Sequence, residues 1–267
     1  MDIKLIAIDL DDTLLNDNLE ITDKNMKALK EAEDKGVIVV LASGRSPFAM
    51  QKYVKKLGLD NRKGYKISFN GSAIIRTDTY EKIYIKKLEV NLAKEIYKVV
   101  NKMNFPIQTY IDDTIYVSFE NKYTDIDCEL TGMKKEIIDN YEEFLNDAPV
   151  KFVIPGNPEK LIELELILKE KFKDKANIFI SKPYFLEVMN INVDKGYALE
   201  YLMKLMNIEK NNVMAIGDAM NDYGMINFAG TGVAMVNAID EIKNIANTIT
   251  TKNNNESGVA EIVNKYI

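Results

Sequence analysis

Short apolar runs alternate along the chain with amphipathic stretches. Ile3-Lys4-Leu5-Ile6-Ala7-Ile8 is mostly apolar and then meets Asp9, Asp11 and Asp12. A run of this kind, closed by a polar cluster, predicts a buried parallel strand. Thr22 to Lys35 carries Met26, Leu29 and Ala32 at helical spacing, with Thr22 as N-cap and Gly36 as the stop. Val37 to Leu41 predicts a second buried strand, which leads into Ala42-Ser43-Gly44-Arg45. Ser46 as N-cap and Pro47 as first residue then open a helix to about Leu57. Ile67-Ser68-Phe69 is a third short strand that ends on the turn signal Asn70-Gly71. Ala73 to Arg76 and Lys82 to Ile85 read as a small hairpin beside it.

The texture changes near Lys86. Leu88 to Met103 predicts a helix, and Pro106 to Ile111 and Thr114 to Ser118 predict antiparallel strands across Asp112-Asp113. More helix follows, then a strand over Val150 to Ile154, a turn at Pro155 to Pro158, and an amphipathic helix from Glu159 to Lys171. Asn177 to Ile180 and Tyr184 to Met189 are strands. The segment reads as a separate α+β module set into a first domain.

The first pattern returns at Asp194. Lys195 to Met206 is helical, and Val213 to Ile216 is a buried strand that ends in Gly217-Asp218-Ala219-Met220-Asn221-Asp222. Thr231 to Met235 and Ala246 to Ile249 are further strands, and Gly258 to Tyr266 is a closing helix. The predicted fold class is α/β, a doubly wound and mostly parallel sheet with an inserted α+β module. The expected boundaries are residues 1–85 and 186–267 for the core and 86–185 for the insert.

Composition narrows the chemistry. The chain has 267 residues, 46% hydrophobic and 28% charged, which suits a globular protein with a substantial core. A net charge of −6 disfavours a nucleic-acid partner. No apolar run approaches a membrane span and no charged-then-apolar leader precedes the first strand, so no membrane partner is expected. One cysteine, Cys128, allows no intrachain disulfide and suits a reducing cytoplasm. There is no histidine, which removes Ser-His-Asp and Cys-His nucleophiles and histidine zinc sites. Carboxylates, lysine, arginine, hydroxyls, backbone and a hard metal are left to do any chemistry.

Open α/β folds bind ligands at the carboxyl edge of the sheet. Asp9/Asp11, Ser43, Lys195 and Asp218/Asp222 all fall at that edge or at helix starts. Each has an ordinary reading alone. Acids suit turns and helix starts, Ser43 suits a cap, and a single lysine is usually solvated. Asp9, Asp11, Thr13, Asp17 and Glu20 match positions of a calcium loop, but Leu14 stands where that loop needs glycine, and a strand precedes it. Two carboxylates so close repel unless a cation or proton sits between them. The remaining functional reading is a nucleophilic carboxylate with a partner acid and a metal such as Mg²⁺, suited to phosphoryl transfer.

Asp9-Leu10-Asp11-Asp12-Thr13, Ser43-Gly44-Arg45, Asp194-Lys195-Gly196 and Gly217-Asp218-Ala219-Met220-Asn221-Asp222 together resemble the four ordered motifs of the haloacid dehalogenase superfamily. Phe69-Asn70-Gly71-Ser72, Ala234-Met235-Val236-Asn237-Ala238 and Ser257-Gly258-Val259-Ala260 resemble its Cof-type sugar-phosphate phosphatases. Val236 stands where that group usually has glycine, and Gly224 where it commonly has a larger residue. About 30 residues separate Thr13 from Ser43 and about 150 separate Ser43 from Lys195, which leaves roughly 100 beyond the core elements, a small domain. A cap between the second and third motifs is the Cof-type arrangement.

The resemblance implies a Rossmann-like core and hydrolysis of small phosphorylated metabolites, sugar phosphates in particular. It implies that Asp9 attacks phosphorus and that Asp11 serves as acid and then base. Mg²⁺ would be held by Asp9, Asp218 and the Asp11 backbone, with Asp222 ordering the water around it. Ser43 and Lys195 would hold phosphoryl oxygens, with Gly44, Arg45 and Asn221 as further substrate contacts. The cap would select the substrate. A phosphotransferase or mutase using the same aspartyl phosphate, and a non-catalytic phosphate-binding protein, are the alternatives. Neither the substrate itself nor the oligomeric state is legible.

Overall fold

In the computed structural model, which describes residues 2–267, the opening apolar run forms β1 (Leu5–Ile8), buried throughout. The predicted helix follows as α1 (Asp23–Asp34), where the Thr22 hydroxyl accepts from Asn25 N at 3.3 Å. Gly36 takes the left-handed conformation (φ +88°) and ends it. The chain continues through β2 (Ile38–Ala42), α2 (Pro47–Leu57), β3 (Tyr65–Ser68), β4 (Ala73–Arg76) and β5 (Lys82–Ile85).

The inserted segment contains α3 (Val90–Lys102), β6 (Gln108–Ile111), β7 (Thr114–Val117), α4 (Lys122–Thr131), β8 (Lys134–Ile137) and α5 (Tyr141–Phe144). It goes on through β9 (Lys151–Pro155), α6 (Pro158–Phe172), β10 (Ala176–Lys182) and β11 (Phe185–Asn190). The last part holds α7 (Lys195–Leu205), β12 (Val213–Gly217), α8 (Tyr223–Phe228), β13 (Thr231–Ala234), α9 (Asp240–Ile245), β14 (Thr248–Ile249) and α10 (Gly258–Tyr266).

These elements divide into two units. Met1–Arg45, Met50–Tyr84 and Asp194–Ile267 make the first, and Ser46–Ala49 and Ile85–Val193 the second. The expected boundary after Phe185 falls at the first residue of a strand. Strand β11 pairs antiparallel with β9 and β10, so its residues belong to the second sheet and the chain re-enters the first unit at Asp194.

The first unit is a sheet of eight strands in the order β14-β13-β12-β1-β2-β3-β4-β5. Strands β14 to β3 in this order are parallel, and β4 turns back antiparallel on β3. From β1 the chain winds outward through β2 and β3, and after the insert it winds the other way through β12 and β13. Order reverses between β1 and β12, and there the crossovers diverge and leave a crevice at the carboxyl ends. Leu5, Ile6 and Ile8 pair with Val213, Met214 and Ile216 across this point, all fully buried. Amphipathic helices α1 and α10 add Ala28, Leu29, Val259 and Ile262 to the same core.

The second unit is a sheet of six strands, β10-β11-β9-β6-β7-β8. Helices α3 and α6 supply Ile96, Val100, Leu161, Leu164 and Leu168 to a core with Ile107, Phe152, Ile154, Leu186 and Val188. Strand β8 has no counterpart in the sequence reading. Its residues, Lys-Lys-Glu-Ile, are mostly exposed, and it forms the edge beside β7, where charges blunt pairing with other chains. Among the described residues no helix is long and apolar enough to cross a membrane.

Candidate active site

Asp9 is the first residue beyond β1 and Asp218 the first beyond β12, so adjacent parallel strands deliver two carboxylates side by side. Asp9 N still donates to Ile216 O at 3.0 Å, which ties the start of the loop to the neighbouring strand. The loop then closes on itself through Leu14 N to Asp9 O (3.3 Å) and Leu15 N to Leu10 O (2.8 Å). That turn needs Asp12 in the left-handed region (φ +56°), which aspartate tolerates better than most residues. Asn237 donates from Nδ2 to the Asp12 carbonyl at 2.7 Å and holds the turn from outside. Thr13 Oγ1 donates to Asp218 Oδ1 at 2.7 Å and so joins the two motifs directly.

Lys195 enters from the first turn of α7, whose N-cap Asp194 accepts from Tyr197 N at 2.8 Å. Its ammonium is fully buried and donates to Asp9 Oδ1 and, at 2.6 Å, to Asp222 Oδ1. The other Asp222 oxygen accepts from Asp218 N (3.0 Å) and Ala219 N (3.2 Å). Both Asp222 oxygens are thus engaged, Oδ1 by Lys195 and Oδ2 by the turn that presents Asp218.

Three acids around one lysine leave an excess of negative charge. Burial first, and then the Asp222 carboxylate, push Asp9 well above the ordinary carboxylate range, against the pull of Lys195. Burial and Asp222 likewise push Asp218 up to about 7, against the Thr13 hydrogen bond. Burial works to lower Lys195, but the Asp222 and Asp9 carboxylates outweigh it and hold the ammonium charged. One carboxylate oxygen from each of Asp9, Asp218 and Asp222 lies within 4.8 Å of the others. An all-oxygen donor set with surplus negative charge fits a hard divalent cation.

Asp11 and Arg45 form a bidentate pair, Nε to Oδ2 at 2.9 Å and Nη2 to Oδ1 at 2.6 Å. Ser43 lies at the end of β2, buried, where its hydroxyl accepts from Arg45 N at 3.2 Å. It is therefore not a helix cap; that place belongs to Ser46, which accepts from Ala49 N. Asn70, left-handed at φ +53°, donates from its backbone N to Ser43 O at 3.0 Å and accepts from Asn221 Nδ2 at 3.1 Å. Gly44 packs against the Asn70 side chain.

Every residue singled out in the sequence thus lies in the first unit at this edge of its sheet. Thr13, Asn70 and Asn237 belong to it too. All three stand inside the quoted motif stretches without an assigned role, and their roles are long-range bonds.

Gly71 has φ +101°, and a Cβ there would lie 2.1 Å from the Asp194 carbonyl oxygen. Gly71→Ala should therefore cost more than about 1 kcal/mol, through backbone strain and displacement of the turn that carries Lys195. Urea unfolding and activity measured together test this. A variant with wild-type stability and wild-type turnover would show that the contact is not needed. Gly224 is similarly confined, since a Cβ there would meet Asp194 Oδ1 at 2.7 Å. Val236 has no positive φ and its N donates to Thr250 Oγ1 at 2.8 Å, so a β-branched residue is accommodated where glycine is usual.

A sequence model of the haloacid dehalogenase-like hydrolases matches residues 6–263. The chain belongs to this family. This haloacid dehalogenase-like hydrolase is 34% identical over 267 residues to a 5-amino-6-(5-phospho-D-ribitylamino)uracil phosphatase of Bacillus subtilis, covering 100% of this chain and 97% of the other. A second Bacillus subtilis phosphatase is 30% identical over 285 residues, covering 97% and 98%. Among solved structures, a haloacid dehalogenase-like hydrolase from Bacteroides thetaiotaomicron matches with a TM-score of 0.92 at 33% identity, covering 99% and 100%. The match extends through the inserted unit, as in the Cof-type group, and the hydrolase is of the phosphatase kind. Hydrolases of this family generally use a divalent metal, and the cluster of Asp9, Asp218 and Asp222 could hold one.

Proposed function

We propose that this hydrolase cleaves monoesters of small phosphorylated metabolites, sugar phosphates foremost, through a phosphoryl group carried on Asp9. The observation that carries the reading is the Asp9 carboxylate, buried at the strand-order reversal with one oxygen on Lys195 and the other unclaimed by that bond. That second oxygen attacks phosphorus, and the bond from phosphorus to the ester oxygen breaks. The leaving alkoxide takes its proton from Asp11. In the second half Asp11 takes a proton from water. The water oxygen bonds phosphorus, and the bond to Asp9 breaks to release phosphate.

Arg45 now grips both Asp11 oxygens. A substrate phosphate offers the guanidinium a second anion, and the exchange frees Asp11 to carry its proton. Ser43 and Lys195 donate to phosphoryl oxygens as charge moves among them, with Gly44 and Asn221 bordering the same place. Mg²⁺ would be held by Asp9, Asp218 and the Asp11 carbonyl, and when bound it neutralises phosphate charge. Asp222 keeps Asp218 in place through the two backbone bonds it accepts. The second unit acts as a cap that selects the alcohol half of the substrate, a role supported by its size and its place between the second and third motifs. A relative that acts on a phosphorylated ribityl compound supports a polyol or sugar phosphate. The single cysteine, Cys128, which allows no intrachain disulfide, suits a reducing cytoplasmic setting.

The test is phosphate release from a panel of sugar and polyol phosphates, with Mg²⁺ and then with excess chelator. Release with Mg²⁺, its loss in chelator and its return on adding Mg²⁺ back are expected. Full activity in chelator would remove the metal from the reading, and a folded protein inert on the whole panel would remove the reading itself.

A further inference from the structure

Helices α3 and α6 both pack on the core of the second unit, yet they meet water differently. Helix α3 buries Ala93, Ile96 and Val100 and leaves Asn91, Glu95, Lys98 and Lys102 exposed, the ordinary amphipathic division. Helix α6 buries Leu161, Leu164, Leu168 and Phe172 in the same core. Away from that core it exposes Leu166 by 65%, Ile162 by 54% and Ile167 by 40%. Single exposed aliphatic residues are common on any surface, but three on neighbouring turns of one helix make a patch that a partner would cover.

The charges around the patch are ordered. Exposed Glu159 and Glu163 precede Leu166, and exposed Lys169 and Lys173 follow it. At 3.6 residues per turn these five positions fall within about a third of the helix circumference. Glu170 shares this side and has Lys173 three positions on as its neighbour. Acids early and lysines late suit the helix dipole, but the dipole has no use for aliphatic side chains between them.

Turned by half a revolution about an axis through Leu166, the face matches itself. Positions equally far from 166 then meet. Glu159 faces Lys173 of the other copy, Glu163 faces its Lys169, and the two Leu166 side chains touch, with Ile162 and Ile167 alongside. A parallel copy would set acid on acid and lysine on lysine. Lys169 donates to Glu165 Oε1 at 2.8 Å within its own helix, and its half-exposed ammonium keeps further donors for a second acid.

We propose that α6 is the contact between two copies of this chain, which meet antiparallel through the exposed face centred on Leu166. The contact uses a surface of the second unit alone and is independent of the reaction assigned to Asp9. One helix face per copy is a small interface, so the association is in the micromolar range and reversible.

The experiment is sedimentation equilibrium of the full-length protein across the micromolar range. The mean mass should rise towards that of a dimer as concentration rises. Leu166→Glu, and Leu166→Gln without the charge, alter an exposed side chain and leave the core intact. Each should weaken association at least about tenfold. Two double variants test the orientation, Glu159→Lys/Glu163→Lys and Lys169→Glu/Lys173→Glu. Each gives these four positions a single sign, so each should remain monomeric by itself, while an equimolar mixture should form mixed pairs. A wild type that stays monomeric across the range would overturn the proposal. So would a dimer indifferent to both Leu166 variants, which would place the contact elsewhere, and a mixture of the double variants that stays monomeric. Flotation of monomeric protein with phosphatidylcholine vesicles would give the face to a membrane and overturn the proposal equally.

Discussion

Asp9→Asn will release no measurable phosphate from any monoester, whereas Asp11→Asn will fail in a way that depends on the leaving group. The amide introduced by Asp9→Asn keeps the shape and still meets Lys195, but it offers no carboxylate to form the covalent phosphate. Asp11→Asn leaves the nucleophile intact. With an alkyl phosphate its first step loses a proton donor, worth about 10²–10⁴ in rate. An aryl phosphate has a leaving group that is already a weak base, so the first step survives. Water then lacks its base, and the phosphoryl group should accumulate on Asp9. Intact mass spectrometry after a rapid acid quench will show the adduct on Asp11→Asn and none on Asp9→Asn. An adduct on Asp9→Asn instead would reverse the two roles.

The second large effect is on stability. Among the described residues, Lys195 is the cation that both Asp9 and Asp222 contact in the buried cluster. Lys195→Met leaves those two carboxylates facing each other, and breaking a buried pair in this way costs about 3–5 kcal/mol. For a chain of this size that corresponds to a fall in Tm of roughly 10 °C.

The deficit should also depend on pH, and the sign follows from the raised carboxylates. A carboxyl whose folded-state pKa is raised favours folding while protonated, and that contribution is lost as pH rises through the folded-state value. For Asp218 that value is already about 7 with Lys195 present. Thermal melts of wild type and variant at about pH 5 and about pH 8 should therefore show the larger gap at the higher pH. An equal gap at both would mean that charge repulsion is not what Lys195 relieves.

Much of this site was legible because each motif interrupts a strong local pattern. Four buried apolar residues before Asp9 and four before Gly217-Asp218 announce strands that end in acids, and the parallel sheet places both ends at one edge. What was not legible depends on partners distant in sequence. Thr13 reads as a turn residue, yet its hydroxyl meets Asp218 some two hundred positions on. Asn70 stands in a quoted motif stretch and reads locally as half of a turn signal, and its bonds to Ser43 O and Asn221 show what it does at the site. Strand β8 has a charged sequence that no alternation marks, and β7 recruits it by pairing alone. The end of the insert is not legible to the residue, because β11 reads as a strand without saying which sheet it joins, and only its pairing with β9 and β10 does.

The strand order also dictates the sequence of events during synthesis. β1 takes β2 as a neighbour early, but its other neighbour, β12, emerges about 200 residues later, and closing so long a loop costs entropy before the pairing returns it. Residues Ile85–Val193 are continuous and contain all six strands of their own sheet, so they have what they need to fold while the ribosome is still working. The first half of the large sheet waits with one side of β1 unpaired. Asp9, the proposed nucleophile, is therefore among the first residues made and among the last to acquire its surroundings, since Lys195, Asp218 and Asp222 all come from the C-terminal part of the chain.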